Sequence, residues 1–237
     1  MLSPHPDRRR VERWVLIYSP LWMACVSFAI FSGRLAHFSD AGYLALGIGL
    51  ALPIWLPAIQ SRHAFRFALW ITLLSFIQNY FGSALFFDRL GMEYHFPTRF
   101  ILNRVPLFLY FLTIAYFATY YVILSVALRA LRRAFPSLPR AALWVCRALL
   151  CYAVAFGESF FMANDRLKPL FLYRDKQFTL LWGSLCYATL FLCTLPLYES
   201  LDETDNPTTP QMIKDLFAAN LLSLILYEVY SFLIQRR

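Results

Sequence analysis

The sequence predicts an all-α fold, a multi-pass transmembrane helical bundle of about seven spans with six as the lower count, in a single integral-membrane domain over residues 1–237. Three observations predict it. Hydrophobic residues make up 59% of the chain and charged residues only 15%, where a soluble domain carries about 25% charged residues. The mean hydropathy is +0.53. Seven apolar runs, at roughly 14–32, 42–60, 67–87, 106–128, 141–163, 178–198 and 212–234, approach the ~20 residues that a helix needs to cross the hydrocarbon core.

Each run carries its own signature. The first follows Arg8, Arg9, Arg10 and Arg13 and has the outline of a signal peptide, but six further spans and no soluble domain follow it, which fits a retained anchor. The second holds Pro53 and Pro57, which should kink or divide it, and it is the span that drops out if the count is six. In the third, Thr72, Ser75, Asn79 and Gly82 recur at three- and four-residue steps and form one helical seam. The fourth offers Thr113, Tyr116 and Tyr120, the fifth Glu158, and the sixth Ser184, Tyr187 and Thr194. The seventh repeats the seam with Asn220, Ser223, Tyr227 and Ser231, and Glu228 stands beside them. The connections are short except for 88–105, 164–177 and 199–211. Loop 88–105, between spans three and four, has a Glu93-Tyr94-His95-Phe96-Pro97 core that reads as an interfacial lid. The N-terminal arginines and a second cluster at Arg129, Arg132, Arg133 and Arg140 suit anionic lipid headgroups and favour a cytoplasmic N-terminus.

Several function classes fall away. The basic clusters are too short to make a folded nucleic-acid surface. The five cysteines lie inside apolar runs with no C-x-x-C pair, so they give no disulfide framework. The four histidines are far apart and lack H-E-x-x-H or H-x-x-x-H spacing, which argues against a metal site. No glycine-rich phosphate loop is present.

An ionisable residue inside a span costs several kcal/mol unless paired or hydrated, which makes each a functional candidate. Glu158 and Glu228 each lie about five or six residues before the end of a run, and Asn79 and Tyr80 occupy a similar depth in the third. Runs three, five and seven point the same way, so all four groups fall in one layer roughly 8–12 Å below the same surface, at 1.5 Å per residue. The expectation is a shared polar pocket in which Glu158 and Glu228 meet. The competing readings are ordinary helix-packing seams and glutamates that snorkel to the interface. Burial in an apolar surround favours the neutral form of a carboxyl and makes it a competent general acid. Aromatic faces stabilise a developing cation. The same parts also suit a proton-coupled carrier, although no inverted repeat is visible.

The stretch Asn79-Tyr80-Phe81 … Phe86-Phe87 … Leu90-Gly91 … Tyr94 … Phe96-Pro97 … Asn103 … Val105-Pro106 resembles the signature region of the plant cycloeucalenol cycloisomerases. It continues into Leu128-Arg129-Ala130-Leu131-Arg132, into Glu158 followed six residues later by Asn164, and into Leu201-Asp202-Glu203. Tyr18-Ser19-Pro20-Leu21-Trp22 is similar to the family's opening Tyr-Thr-Pro-Phe-Trp, and Glu228 falls where the family carries an Asp. The ordered series, from near residue 13 to near residue 232, carries the resemblance rather than any single motif. Two departures stand out. Gly82-Ser83-Ala84-Leu85 replaces Trp-Thr-His-Tyr, and Leu107 follows Pro106 where the family has His.

The resemblance implies opening of the 9,19-cyclopropane of a cycloeucalenol-like sterol to give an obtusifoliol-like product, a redox-neutral isomerisation with no metal or nucleotide cofactor. Its partners are then a hydrophobic sterol-like substrate and membrane lipid, in the endoplasmic reticulum or a bacterial inner membrane. On this reading Glu158 is the acid and Glu228 its partner, while Tyr80, Tyr94 and His95 orient the sterol hydroxyl or pass protons. Asn79, Asn103, Tyr116 and Asn164 complete the substrate-facing set, the three asparagines chiefly by holding loops closed. Asp202 and Glu203 pair with the 129–140 arginines. The alternative is a non-catalytic sterol or lipid carrier of the same fold.

Overall fold

The computed structural model describes residues 2–202 and 208–233. Glu203 lies outside them, as does the side chain of Asp202. Seven described helices are long and apolar enough to cross a membrane: α1 Pro6–Phe31, α2 Asp40–Ile59, α3 Arg62–Asp88, α4 Leu107–Ala134, α5 Arg140–Met162, α6 Lys176–Glu199 and α7 Thr209–Leu233. The chain is an integral, multi-pass helical bundle.

The proline-bearing second span forms in full, and its neighbour explains why. The α-helical part of α2 ends at Trp55 and continues as a 3₁₀ turn over Leu56–Ile59. Pro57 has no N–H to offer the Pro53 carbonyl. The Trp14 indole of α1 donates to that carbonyl at 2.8 Å. Proline is tolerated in a membrane helix when a neighbour takes up the freed backbone groups in this way.

The most buried span is α4, which packs against α1, α2, α3, α5 and α6. Its crossing with α2 is close enough to require Gly47: a Cβ there would lie 2.5 Å from the Phe108 carbonyl oxygen. Small residues that let backbones approach are the usual basis of helix association in lipid. Around α4 the bundle is filled by aromatic contacts, among them Trp70 edge-on to Tyr121 at 4.8 Å and Tyr121 against Phe191 at 5.5 Å.

Because successive spans alternate in direction, the start of α1, the ends of α4 and α6 and the first turns of α5 share one side of the bundle. Charges gather there. Glu12, fully buried, accepts from Arg8 at 2.9 Å and from Arg129 at 2.5 Å. Arg8 also donates to the Glu199 carbonyl at 3.0 Å, and the Glu199 carboxylate pairs with Arg147 at 2.5 Å and Arg132 at 3.4 Å. Arg129 and Arg132 thus meet Glu12 and Glu199; the pairing expected of Asp202 and Glu203 falls outside the described residues.

On the opposite side four short strands interrupt the helices. β1 (Met92–Tyr94) pairs antiparallel with β4 (Phe171–Tyr173), and β2 (Ile101–Leu102) with β3 (Val105–Pro106). The β2–β3 hairpin turns at Asn103 and Arg104, both at positive φ (48° and 70°), as a two-residue primed turn requires.

Trp14→Phe is expected to lower stability in detergent by about 1 kcal/mol, read as a shift in thermal midpoint. Pro57→Ala restores an amide for the Pro53 carbonyl and should abolish most of that penalty; equal penalties in both backgrounds would show that the indole does not serve this carbonyl. Glu12→Gln leaves Arg8 and Arg129 without their shared buried carboxylate and is expected to cost about 3–5 kcal/mol in the same assay.

Candidate active site

The polar layer lies toward the strand-bearing side, and two hollows meet in it. The inner chamber, of about 130 Å³, is walled by α3 (Gln78, Asn79, Gly82, Ser83), α4 (Thr113, Tyr116, Phe117), α5 (Glu158, Ser159, Met162), Tyr187 of α6 and Tyr227 of α7. The second, of about 340 Å³, lies between α1, α4 and α5 and is lined almost wholly by apolar groups, including Trp22, Met23, Val26, Ile123, Val154 and Phe161. Glu158, Tyr116 and Met162 belong to both walls.

Glu158 owes its position to the pitch of α5. Arg147, Cys151, Ala155 and Ser159 form the buried stripe of that helix at four-residue steps. Glu158 stands one residue off the stripe and is half-buried, its carboxyl bordering the two hollows. The Tyr187 hydroxyl donates to Glu158 Oε2 at 2.6 Å, and Tyr120 makes a second side-chain hydrogen bond to the same carboxyl. Both partners are phenols, and further aromatic faces stand around them: Trp22 meets Tyr116 edge-on at 4.5 Å, and Tyr187 meets Phe191 at 5.0 Å.

The α3 wall is shaped by a π-helical turn over Gln78–Gly82. The wider turn lets Gln78, Asn79 and Gly82 all border the chamber, and such turns recur at functional sites. Asn79 Nδ2 donates to the Ser75 carbonyl at 2.8 Å and to Thr113 Oγ1 at 3.0 Å. Gln78 Nε2 donates to Asn220 Oδ1 at 2.7 Å. The Tyr227 hydroxyl is buried and has no hydrogen-bond partner among the described residues.

A two-stranded cover lies over one side of the chamber. Met92 and Tyr94 of β1, with Phe171 and Tyr173 of β4, face into it, while Glu93 and Leu172 fall on the other face by strand alternation. On that outer face Glu93 accepts from Arg174 at 2.5 Å and lies 3.1 Å from His95 Nε2. The Arg174 hydrogen bond holds the Glu93 carboxyl below its usual range. Burial pushes the Tyr94 and Tyr173 phenols up, so both remain protonated donors. Asp40, at the start of α2, ties the loop down through Thr98 Oγ1 at 2.9 Å and the Arg99 amide at 2.8 Å.

Of the residues singled out from sequence, the structure brings together Glu158, Asn79, Tyr94 and Tyr116. It does not bring in the others. Glu228 is exposed on the outer face of α7, because its neighbour Tyr227 takes the inward position and one residue is a 100° turn; the expected meeting of two glutamates does not occur. Tyr80 is 38% exposed and stacks edge-on with Phe81 outside the chamber. His95 is exposed because strand alternation sends it away from Tyr94. Asn103 sits at the hairpin tip and donates to the Tyr80 carbonyl, a role in holding the loop rather than the substrate. Asn164 caps the turn after α5, donating to the Phe161 carbonyl at 2.6 Å and accepting from the Leu167 amide at 3.1 Å. Sequence reasoning missed Gln78 and Tyr173, and ranked Tyr187 and Tyr227 only as seam residues.

Among curated proteins the chain is similar to the cycloeucalenol cycloisomerase of Arabidopsis thaliana, at 29% identity over 248 residues that cover 97% of this chain and 87% of the relative. No family model and no solved structure matches it. The ordered likeness seen in the residues therefore runs almost end to end.

Glu93 and Leu172 face each other across β1 and β4, so Glu93→Cys with Leu172→Cys is expected to form a disulfide on oxidation and to raise the thermal midpoint. Failure of the two peptides to cross-link would show that the strands are not paired in the membrane.

Proposed function

We propose that this chain is a membrane-embedded sterol isomerase of sterol biosynthesis that opens a cyclopropane ring, with Glu158 as the proton donor. The observation that carries the reading is a half-buried carboxyl held by phenols at the meeting point of two hollows in lipid. The 29% identity to a cycloeucalenol cycloisomerase over nearly the whole chain supports the substrate class.

The chemistry asks for little beyond these groups. The Glu158 proton adds to the cyclopropane methylene carbon C19, the C9–C19 electron pair forms the new C–H bond, and C19 becomes a methyl group on C10. Positive charge develops at C9. Loss of the C8 proton then places a double bond between C8 and C9, and the carboxylate just formed on Glu158 is the base at hand. One proton enters and one leaves, so Glu158 is regenerated and no oxidant or reductant is consumed. A single carboxyl that serves as acid and then as base does not need Glu228. The rings of Phe117, Phe171, Tyr116 and Tyr187 offer faces to the cation, and Tyr187 and Tyr120 hold the carboxyl in one orientation.

A second reading, a sterol carrier that kept the fold, is favoured by Gly82-Ser83-Ala84-Leu85 and by Leu107, where the family pattern has histidines. Membranes that contain the protein, given cycloeucalenol, separate the two: the isomerase yields a Δ8-sterol of unchanged mass, seen by chromatography and mass spectrometry. Glu158→Gln is expected to lower turnover by about 10²–10⁴-fold while sterol binding persists. Undiminished turnover in that variant would remove Glu158 as the acid, and binding without any product in the wild-type protein would favour the carrier.

A further inference from the structure

We infer that the sterol lies across Glu158 in a fixed sense, with its hydroxyl at the Gln78–Tyr227 end of the inner chamber and its hydrocarbon tail in the hollow between α1 and α5, which opens to lipid. The inference rests on the isomerase reading and adds to it the polarity of the site and the side from which substrate is admitted.

The inner end is built to hold one hydroxyl. Tyr227 is 2% exposed and borders the chamber, and its hydroxyl has no hydrogen-bond partner among the described residues. A buried, unpaired phenol is destabilising, and a ligand that bonds to it relieves this. Gln78 uses its Nε2 on Asn220 and Ser223 and turns Oε1 toward Gly82. A Cβ on Gly82 would strike that oxygen and reach the Tyr227 ring, so the acceptor and the ring that carries the donor meet at the one α3 position without a side chain. A sterol hydroxyl needs one of each: it donates to Gln78 Oε1 and accepts from Tyr227.

The other hollow has the opposite character. Its walls are apolar apart from Ser27, Glu158 and the two phenols Tyr116 and Tyr120. Met23, Ile123, Ala153 and Gly157 on its rim are exposed on the lipid-facing surface of the bundle. Both α1 and α5 pack on α4 and leave the hollow between them. An amphiphile whose hydroxyl and tail lie at opposite ends of a rigid nucleus can satisfy the two hollows together in only one sense. That sense brings the middle of its nucleus to Glu158, the group the hollows share.

Two variants and two probes test this. Tyr227→Phe is expected to weaken binding of a 3-hydroxysterol about tenfold and to leave a 3-deoxy analogue unchanged; equal weakening of both would mean a packing role and would overturn the assignment of the hydroxyl. Gly157 has open space around its Cβ position, so Gly157→Leu folds while filling the outer hollow, and it should weaken a long-tailed sterol but not one lacking the tail. In the full-length protein in membranes, a sterol with a photoreactive group at the tail should label peptides of α1 and α5, and one with the group on ring A should label α3 and α7. The reversed pattern in a protein that still turns over cycloeucalenol would overturn this inference alone. Absence of saturable labelling by either probe would overturn it together with the isomerase reading.

Discussion

Lipid offers no water to satisfy a charge, so a helix that carries one into the membrane must find it a partner on another helix. In this chain that demand is met at one end of the bundle, where Arg8, Glu12, Arg129, Glu199 and Arg147 link α1, α4, α5 and α6. The attraction within such buried pairs is largely offset by the cost of desolvating them. What they fix is register, because none of these helices can slide without exposing a charge it cannot pair. Register at this end sets depth at the other: Glu158 follows Arg147 along α5 by roughly 16 Å at 1.5 Å per residue. The depth of the Glu158 carboxyl is thus anchored by groups that line neither hollow.

The two ends of the bundle are polar in different ways. Around Glu12 and Glu199 the partners are guanidinium groups, each of which brings a fixed positive charge to the carboxyl. Around Glu158 the partners are phenols, which orient a carboxyl without supplying a fixed charge. A carboxyl that must give up a proton and take one back is served by the second arrangement and would be disabled by the first. The distinction lies in which helix ends carry arginine, and the sequence shows it as the clustering of basic residues at the N-terminus and at 129–140.

Most of the fold was legible because lipid makes strong demands on composition and length. All seven spans appear where apolar runs were read, and the seam of α7 is buried at Asn220, Ser223, Tyr227 and Ser231. The site was legible in depth and illegible in azimuth. Glu228 stands at the expected level, but a seam defines its face to within about one residue, and one residue is a 100° turn. In α3 the same counting failed for a different reason: the π-helical turn adds a residue to the repeat and brings Gln78 inward beside Asn79. No three- or four-residue periodicity signals that insertion. His95 was misplaced because a strand was not expected in an all-α chain, and a period of two sends alternate residues to opposite faces.

That period also accounts for the presence of strands here at all. A cover one backbone thick has to turn different side chains inward and outward within a few residues. A helix needs two turns to present distinct apolar and polar faces, whereas three residues of strand suffice. β1 places Met92 and Tyr94 on the chamber and the charged Glu93 on the other face, and β4 places Phe171 and Tyr173 on the chamber with Leu172 beside Glu93. The ion pair between Glu93 and Arg174 then holds the cover from its outer side.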